Sequence, residues 1–214
     1  MFYFVKTPGW LRKLYKGCIW QMPGNEKIIY LTFDDGPHPE ATKFVLDTLN
    51  QWGATATFFC IGKNVVAHPD IYRRILEEGH AVGNHTFNHL NGWKTPNEEY
   101  MSNIAEAKKY IDSDLFRPPY GRISKFQLKL LQLDSYKLIT IMWTVLSGDF
   151  DLNITKERCL RNVVNKSGNG SIVLFHDSVK AFEKMAFTLP KVLEHFSERG
   201  YRFEKIKLHN GPGC

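Results

Sequence analysis

The sequence predicts an α/β fold in which a mainly parallel sheet closes into a barrel or a distorted barrel. From Lys27 onward, short runs of β-branched or aromatic residues alternate with longer segments of helical period, which is typical of repeated βα units. The 214 residues contain no Ser/Gly-rich linker, internal repeat or low-complexity stretch. We therefore expect one domain over residues 24–208, with an N-terminal extension over 1–23 and a tail over 209–214.

Seven candidate strands can be placed along this domain. They cover residues 28–33, 57–61, 80–83, 115–117, 138–143, 172–175 and 201–206. Seven βα units in one domain favour a barrel of the TIM type, or a distorted one, over an open sheet. Both architectures build their ligand sites from loops at the C-terminal ends of the strands, so the search for a site starts there.

Start signals mark several of the candidate helices between these strands. Ser124 and Gln127 have the spacing of a capping box ahead of an apolar helical pattern. Two further helices are expected to begin after capping threonines, at Thr95 and Thr155. These signals do not depend on the hydrophobic period, so they support the helix assignments independently.

The positive charge of the chain is concentrated near its N-terminus. Lysine and arginine number 28 against 22 aspartates and glutamates, which gives a formal net charge of +6. Residues 1–24 hold no acidic residue and four basic ones, Lys6, Arg12, Lys13 and Lys16. The rest of the chain is nearly neutral, so we expect no nucleic-acid partner.

The N-terminal stretch allows two interpretations. Residues 10–20 combine apolar and basic side chains, so they can lie on an anionic membrane surface or form a short helix packed on the domain itself. The longest apolar run, 138–146, is far shorter than the ~20 residues of a membrane-spanning helix. Residues 1–5 lack the basic region and the cleavage site of a signal peptide, which on its own favours a cytoplasmic location.

Potential metal ligands and acid–base groups follow the first and third predicted strands. Asp34 and Asp35 come directly after the first strand, and His85 and His89 form a His-x-x-x-His pair after the third. On one helical turn this spacing puts both imidazoles on the same face, where they can share a metal ion. Each motif alone also has an ordinary explanation, because Asp-Asp-Gly-Pro is common in turns.

Three more strands end in residues of the same kind. The fourth strand ends in an Arg-Pro-Pro-Tyr-Gly turn that begins at Arg117, the fifth is followed by Asp149, and the sixth closes with His176. The opposite strand ends carry mostly residues of no special chemistry. Side chains from five strands therefore gather at the C-terminal end of the sheet, which predicts one shared site.

Together these side chains suit metal-assisted hydrolysis of an amide or an ester. One carboxylate and two imidazoles are a good ligand set for zinc or a similar divalent ion, with a fourth position open to water. The ion lowers the pKa of that water from 15.7 to ~7, a second carboxylate can act as general base, and a further histidine as general acid. The sequence has no G-x-S-x-G elbow, P-loop or G-x-G-x-x-G, so serine hydrolases, NTPases and dinucleotide-binding proteins lack support.

Five motifs occur in a fixed order along the chain. They are T-F-D-D-G-P at 32–37, H-T-F-N-H at 85–89, R-P-P-Y-G at 117–121, D-F at 149–150 and L-F-H at 174–176. In this order they resemble the motifs of the carbohydrate esterase family 4 polysaccharide deacetylases, which share the NodB homology domain. The resemblance implies a distorted seven-stranded (β/α) barrel. It also implies removal of N-acetyl groups from glycans such as peptidoglycan or chitin oligomers, by attack of a metal-bound water on the acetamide carbonyl.

The resemblance also implies a role for each motif residue. Asp34 would be the general base and His176 the general acid, while Arg117 would hold Asp34 and Asp149 would hold His176. One divalent ion, zinc by expectation with cobalt or another ion as alternatives, would be bound by Asp35, His85 and His89. The substrate side of the site would be formed by the backbone N–H of Tyr120 facing the oxyanion, by Leu174 beside the acetyl methyl, and by Phe150 and Trp143.

Two positions in the fourth motif depart from the family pattern. Leu146 stands where many members carry an aspartate, and Phe150 where many carry a tryptophan. Because Asp149 is kept, we expect the contact to His176 to survive and the substrate preference to change. Two alternatives stay open, an O-acetyl esterase acting on a polysaccharide such as xylan and a non-catalytic glycan-binding relative. The resemblance places the protein in the cell envelope or outside the cell, in contrast to the missing signal peptide.

Overall fold

The computed structural model describes residues 3–208. Nine strands lie in this range: β1 Cys18–Ile19, β2 Ile28–Asp34, β3 Thr57–Cys60, β4 Ala81–Asn84, β5 Leu115–Phe116, β6 Ile139–Ile141, β7 Val145–Leu146, β8 Ser171–His176 and β9 Arg202–Phe203. The α-helices of the same range are α1 Gly9–Leu14, α2 Ala41–Gln51, α3 Gly62–Ala67, α4 Pro69–Glu77, α5 Asn97–Lys108, α6 Lys125–Leu131, α7 Lys156–Val164 and α8 Phe182–Ser197. A short 3-10 helix, Pro119–Gly121, follows β5.

The strands form one parallel sheet in the order β1-β6-β5-β4-β3-β2-β8-β7, with β9 beside β2. Parallel neighbours need crossover connections, and the helices between the strands supply them. Within residues 3–208 no strand ladder joins β7 to β1 or β6, so the barrel has a seam at this place. The predicted α/β, TIM-barrel-like fold is confirmed.

Each of the seven predicted strands has a counterpart, and two more strands exist. The sequence analysis missed β1 and β7, which have two residues each. It also extended the fifth strand to Trp143, whereas β6 ends at Ile141. As a correction, Asp149 follows the short strand β7 rather than the predicted fifth strand.

Residues 3–22 fill the seam of the barrel. Strand β1 pairs in parallel with β6, and Lys6 forms an antiparallel bridge with Val145 of β7. Next to this bridge, Thr7 N–H donates to the Thr144 carbonyl and Leu146 N–H donates to the Val5 carbonyl, at 2.9 and 2.8 Å. The predicted N-terminal extension therefore shares the sheet with the rest of the chain.

The sequence predicts that residues 10–20 either lie on a membrane surface or form a short helix packed on the domain. Helix α1 is such a short helix. Its Leu11 and the following Tyr15 are half-buried and pack against a core cluster that includes Trp20 and Cys18. Membrane contact of this segment stays a prediction. None of the helices in the described range combines the length and the apolar character that a bilayer crossing requires.

Successive side chains of β2 point alternately to the hydrophobic core and to the interior of the barrel. Phe33 points to the helix side, where its ring stacks with Phe58 of β3 and Phe175 of β8 at centroid distances of 5.2 and 5.9 Å. Burial of such a ring contributes roughly 1.5–3 kcal/mol to folding. Thr32 and Asp34 point to the opposite side of the strand, into the barrel, because successive side chains alternate.

Two of the three predicted capping residues act as caps. Ser124 and Gln127 form the complete capping box of α6, and Thr155 accepts a hydrogen bond from a backbone N–H of α7. The prediction for Thr95 is wrong, because α5 starts after Pro96 without a side-chain cap. The Thr95 hydroxyl instead donates to the Asn91 carbonyl in the preceding turn, at 2.9 Å.

Candidate active site

The side chains singled out in the sequence meet at the C-terminal end of the barrel. Asp34 and His176 are the last residues of β2 and β8 and are cross-strand partners in this ladder. His85 follows β4 directly, Arg117 follows β5, and Asp149 lies three residues after β7. Parallel strands deliver all five to one edge of the sheet.

Asp35, His85 and His89 form a group that can hold a metal ion. One ligand atom of each lies within 4.8 Å of the other two. Asp35 Oδ1 is 3.2 Å from His89 Nε2 and 3.8 Å from His85 Nε2. Tetrahedral ligands at ~2.1 Å from zinc are roughly 3.4 Å apart, so the spacing fits. Asp35 Oδ1 is buried and accepts no hydrogen bond from the described residues, and a cation between the three side chains would satisfy it.

The environment keeps His85 neutral and Asp35 ionised. His85 is buried, and its Nδ1 lies 2.7 Å from the Arg117 carbonyl, so we assign the proton to Nδ1 and leave the Nε2 lone pair for a metal ion. Burial lowers the pKa of His85 to about 4, although Asp34 opposes this shift. Burial by itself raises the pKa of Asp35, but the surrounding imidazoles, with His89 foremost, outweigh it and hold the pKa below its usual range.

Arg117 binds Asp34 in the interior of the barrel. Its guanidinium is fully buried and donates to Asp34 Oδ1 at 2.8 Å and to the Thr32 hydroxyl at 2.7 Å. Its other nitrogens donate to the carbonyls of Ile141 and Met142. These hydrogen bonds fix the orientation of the guanidinium and, through it, that of the Asp34 carboxylate. The second oxygen, Asp34 Oδ2, lies 3.7 Å from His85 Nε2 and so faces the metal-ligand group.

Asp149 binds His176, as Arg117 binds Asp34. Its carboxylate accepts from His176 Nδ1 at 2.8 Å and from the His176 backbone N–H at 2.7 Å. Burial opposes a charge on His176, but the Asp149 carboxylate outweighs it and raises the pKa of His176 to about 9. His176 therefore carries a proton at neutral pH, and its Nε2 is left to face the cavity. The contact expected from the retained Asp149 is present.

The Arg-Pro-Pro-Tyr-Gly turn places Tyr120 against the metal-ligand group. The Tyr120 ring packs edge-to-face against the His89 ring at a centroid distance of 4.7 Å. The two backbone hydrogen bonds of the turn run from Gly121 to Pro118 and from Arg122 to Pro119, and neither uses the Tyr120 N–H. Gly121 is required here, because its φ is +65° and an added Cβ would lie 2.6 Å from the Trp143 ring.

Unusual backbone angles concentrate in this site. Among residues 3–208, five residues other than glycine have positive φ, and four of them belong to the site: Asp35, Thr86, His89 and Tyr120. Such conformations cost of order 1–3 kcal/mol each and persist only where the surrounding structure imposes them. Hydrogen bonds such as that from Asn64 Nδ2 to the Asp35 carbonyl at 2.7 Å supply this support.

The predicted substrate-side residues border a cavity of about 610 Å³ that includes the metal-ligand group. The cavity is lined by all four of them, Tyr120, Leu174, Phe150 and Trp143. Phe150 lies against the His176 ring at 5.2 Å, and Leu146 also contributes to the wall. The volume is in the range of roughly 300–1,000 Å³ that is typical of ligand sites.

Asp177 is a site residue to which the sequence analysis assigned no role. Its carboxyl is fully buried, accepts from the Gly36 N–H at 3.0 Å, and is bonded to the Thr42 hydroxyl. Its own N–H donates to the Asp34 carbonyl at 3.0 Å. Asp177 thus fixes the loop that carries Asp35. Its position directly after His176 is the one signal in the sequence that pointed to it.

Comparisons with known proteins agree with this geometry. A family model described as polysaccharide deacetylase matches residues 21–139. The chain is 38% identical over 192 residues to a peptidoglycan-N-acetylglucosamine deacetylase of Bacillus cereus, covering 87% of this chain and 90% of that protein. It is 36% identical over 160 residues to a chitooligosaccharide deacetylase of Azorhizobium caulinodans, covering 72% and 75%.

A solved structure extends the likeness to the fold. The crystal structure of the Bc1960 peptidoglycan N-acetylglucosamine deacetylase, in complex with an N-hydroxybenzamide derivative, superposes with a TM-score of 0.84 at 31% identity, covering 94% of this chain and 95% of that one. The family model spans more than half of the chain. The resemblance drawn from the five motifs is confirmed, and the chain belongs to the polysaccharide deacetylases of carbohydrate esterase family 4.

Proposed function

We propose that this protein removes N-acetyl groups from N-acetylglucosamine-type glycans, with Asp34 as general base and His176 as general acid. The proposal rests on the positions of these two residues. Asp34 and His176 are neighbours in the register of the β2–β8 ladder, and both lie beside the group formed by Asp35, His85 and His89. One is a carboxylate held by a buried arginine, and the other is an imidazole whose pKa is raised to about 9. A base and an acid on adjacent strands suit hydrolysis of an amide.

The metal ion is part of this proposal. The family is metal-dependent, and the carboxylate-plus-two-imidazole set with an open position favours zinc, with cobalt or another divalent ion as alternatives. A divalent ion bound there would polarise the acetamide carbonyl and lower the pKa of water. His85, with its Nδ1–H donated to the Arg117 carbonyl, and the ionised Asp35 are in the protonation states that a cation requires.

Asp34 is assigned to take the proton of the attacking water. Its Oδ1 is engaged by Arg117, so its Oδ2 is the oxygen available on the side of the metal-ligand group. The hydrogen bond from Arg117 fixes the orientation of the carboxylate. Proton transfer by a positioned carboxylate typically contributes 10²–10⁴ to the rate.

His176 is assigned to protonate the departing nitrogen. An amine leaves poorly without a proton, and a histidine whose pKa is about 9 holds one at neutral pH. Asp149 occupies Nδ1, so the proton on Nε2 is the one that can be donated. This favours N-deacetylation over the O-acetyl esterase alternative, because an alkoxide leaving group depends less on a protonated acid.

The remaining residues are assigned to substrate binding. The Tyr120 N–H would donate to the oxyanion, a contribution usually worth several kcal/mol in such sites. Leu174 would contact the acetyl methyl, and Phe150 and Trp143 would border the sugar. The names of the relatives support peptidoglycan or chitin-type oligomers as substrates and the cell envelope as the place of action.

The experiment is an acetate-release assay on N-acetylglucosamine oligomers, peptidoglycan fragments and acetylated xylan. We expect acetate from the amide substrates, loss of activity after chelation, and recovery with Zn²⁺. Asp34→Asn should lower kcat by about 10²–10⁴, whereas Asp134→Asn, at a carboxylate with 99% side-chain exposure, serves as the matched control. Acetate from xylan alone would establish the esterase instead, and glycan binding without acetate release would establish a non-catalytic protein.

A further inference from the structure

The N-terminal segment forms part of the wall of the active-site cavity. Residues 3–20, which also fill the seam of the barrel, contribute seven residues to the cavity lining: Tyr3, Phe4, Thr7, Leu11, Tyr15, Cys18 and Trp20. The family model starts after these residues, at residue 21. We define the N-terminal wall as residues 3–15, which hold the first five of the seven.

Contacts connect the N-terminal wall to the catalytic groups. The Tyr3 ring packs on Phe150 at a centroid distance of 5.4 Å, and Phe150 in turn packs on His176 at 5.2 Å. Burial together with the nearby Asp151 carboxylate raises the pKa of Tyr3 to about 12. The wall thus lies on the general-acid side of the cavity, one ring beyond Phe150.

The surface that the wall presents to the cavity is apolar and aromatic. Tyr3, Leu11 and Tyr15 are each half-buried, so part of each side chain is available to a ligand. The basic residues Lys6, Lys13 and Lys16 of the same segment do not line the cavity. A neutral ring with an apolar face fits such a surface, and a pyranose has this chemistry, whereas a charged group does not.

We propose that the N-terminal wall is a binding subsite for the sugar unit next to the one whose acetamide is hydrolysed. This inference rests on the proposed function, because it assumes that a glycan occupies the cavity. The cavity is continuous from the metal-ligand group to the wall, so a ring bound at one end places its neighbour toward the other. Tyr3 and Leu11 would then contribute to the binding of substrates with two or more sugar units and not to that of a single sugar.

The test compares N-acetylglucosamine, which has no neighbouring sugar, with the chitin-type pentamer as substrates of the full chain. We expect wild-type kcat/KM to be higher on the pentamer. Tyr3→Ala should reduce the pentamer-to-monomer ratio of kcat/KM by about five- to tenfold, mainly through KM, and Leu11→Ala should act in the same direction. Tyr3→Phe keeps the ring and should keep the ratio. The matched control is Phe126→Ala, which removes an exposed aromatic ring that lies outside the cavity.

Each outcome separates this inference from the proposed function. An equal loss of kcat/KM on both substrates in Tyr3→Ala would mean that Tyr3 only supports Phe150, and an unchanged ratio would mean that the wall does not contact the glycan. Either result overturns the subsite while leaving the deacetylase intact. If the wild-type protein releases no acetate from any oligomer, the proposed function fails and the subsite fails with it.

Discussion

Asp149 holds His176 with both of its carboxylate oxygens, one on Nδ1 at 2.8 Å and one on the backbone N–H at 2.7 Å. The first contact sets the charge of the imidazole, and the second fixes the strand end that carries it. Because Asp149 is fully buried, the interaction is weakly screened by solvent. One residue thus controls both the proton and the position of the proposed general acid.

The first prediction concerns pH. The proposed acid works only while His176 is protonated, so kcat/KM should fall as the pH rises through about 9. Asp149→Asn removes the charge that raises the pKa of His176, so the alkaline limb should move to lower pH and kcat should fall by about 10² or more. A pH profile of acetate release measures both effects. An alkaline limb that stays in place in Asp149→Asn would contradict the assignment.

The second prediction concerns the buried pair of Arg117 and Asp34. Arg117→Met should lower the free energy of unfolding by about 3–5 kcal/mol, because it leaves the Asp34 carboxylate buried without its partner. Urea unfolding measures the change. The double variant Arg117→Met with Asp34→Asn should lose less stability than the two single variants added together. Strict additivity would mean that the two side chains do not interact energetically.

The third prediction concerns metal binding without reference to catalysis. A cation that binds the folded site and not the unfolded chain stabilises the folded state, so we expect Zn²⁺ to raise the Tm of the wild-type protein, by an amount equivalent to about 2.7 kcal/mol at a hundredfold excess over Kd. His85→Ala and Asp35→Ala should lose this shift, and equilibrium dialysis should show loss of bound zinc. His80→Gln is the control, because His80 lies outside the metal-ligand group. A full shift in His85→Ala would contradict the ligand assignment.

The fourth prediction concerns stability in acid. His80 has a 2% exposed side chain, and its Nδ1 accepts from the Ala56 N–H at 3.2 Å. Burial lowers the pKa of His80 from 6.5 to about 4, so between these values the unfolded chain binds a proton that the folded chain does not. The contribution of His80 to the free energy of unfolding is therefore fully present above pH 6.5. It falls toward pH 4, by on the order of 2 kcal/mol. His80→Gln should flatten the dependence of Tm on pH, and an unchanged slope would refute this origin.

The placement of the site could be predicted because it follows from topology. Asp34, His85 and His176 each end or directly follow a strand of four or more residues, Arg117 follows the two-residue β5, and parallel strands bring such positions to one edge. The capping box at Ser124 was equally readable, since it depends on residues three positions apart. Local patterns of this kind survive in the sequence.

Features that depend on distant partners could not be predicted. Strand β7 exists because Val145 and Leu146 pair with Val173 and Leu174, which lie 28 positions later in the chain. The role of Asp177 depends on Gly36 and Thr42, which are far away in the chain. No motif or hydrophobic period in the sequence marks Tyr3, and its contact with Phe150 is what connects it to the site.

The filling of the barrel seam by residues 3–22 has a consequence for the order of folding. The Thr7 hydroxyl bonds to the carbonyl of Trp143, which lies 136 positions later in the chain. Contacts of such sequence separation form late, because a long loop must close before they contribute. The N-terminal residues lack these partners until β7 has been synthesised and has paired with β8, so we expect the N-terminal wall to be completed late in folding.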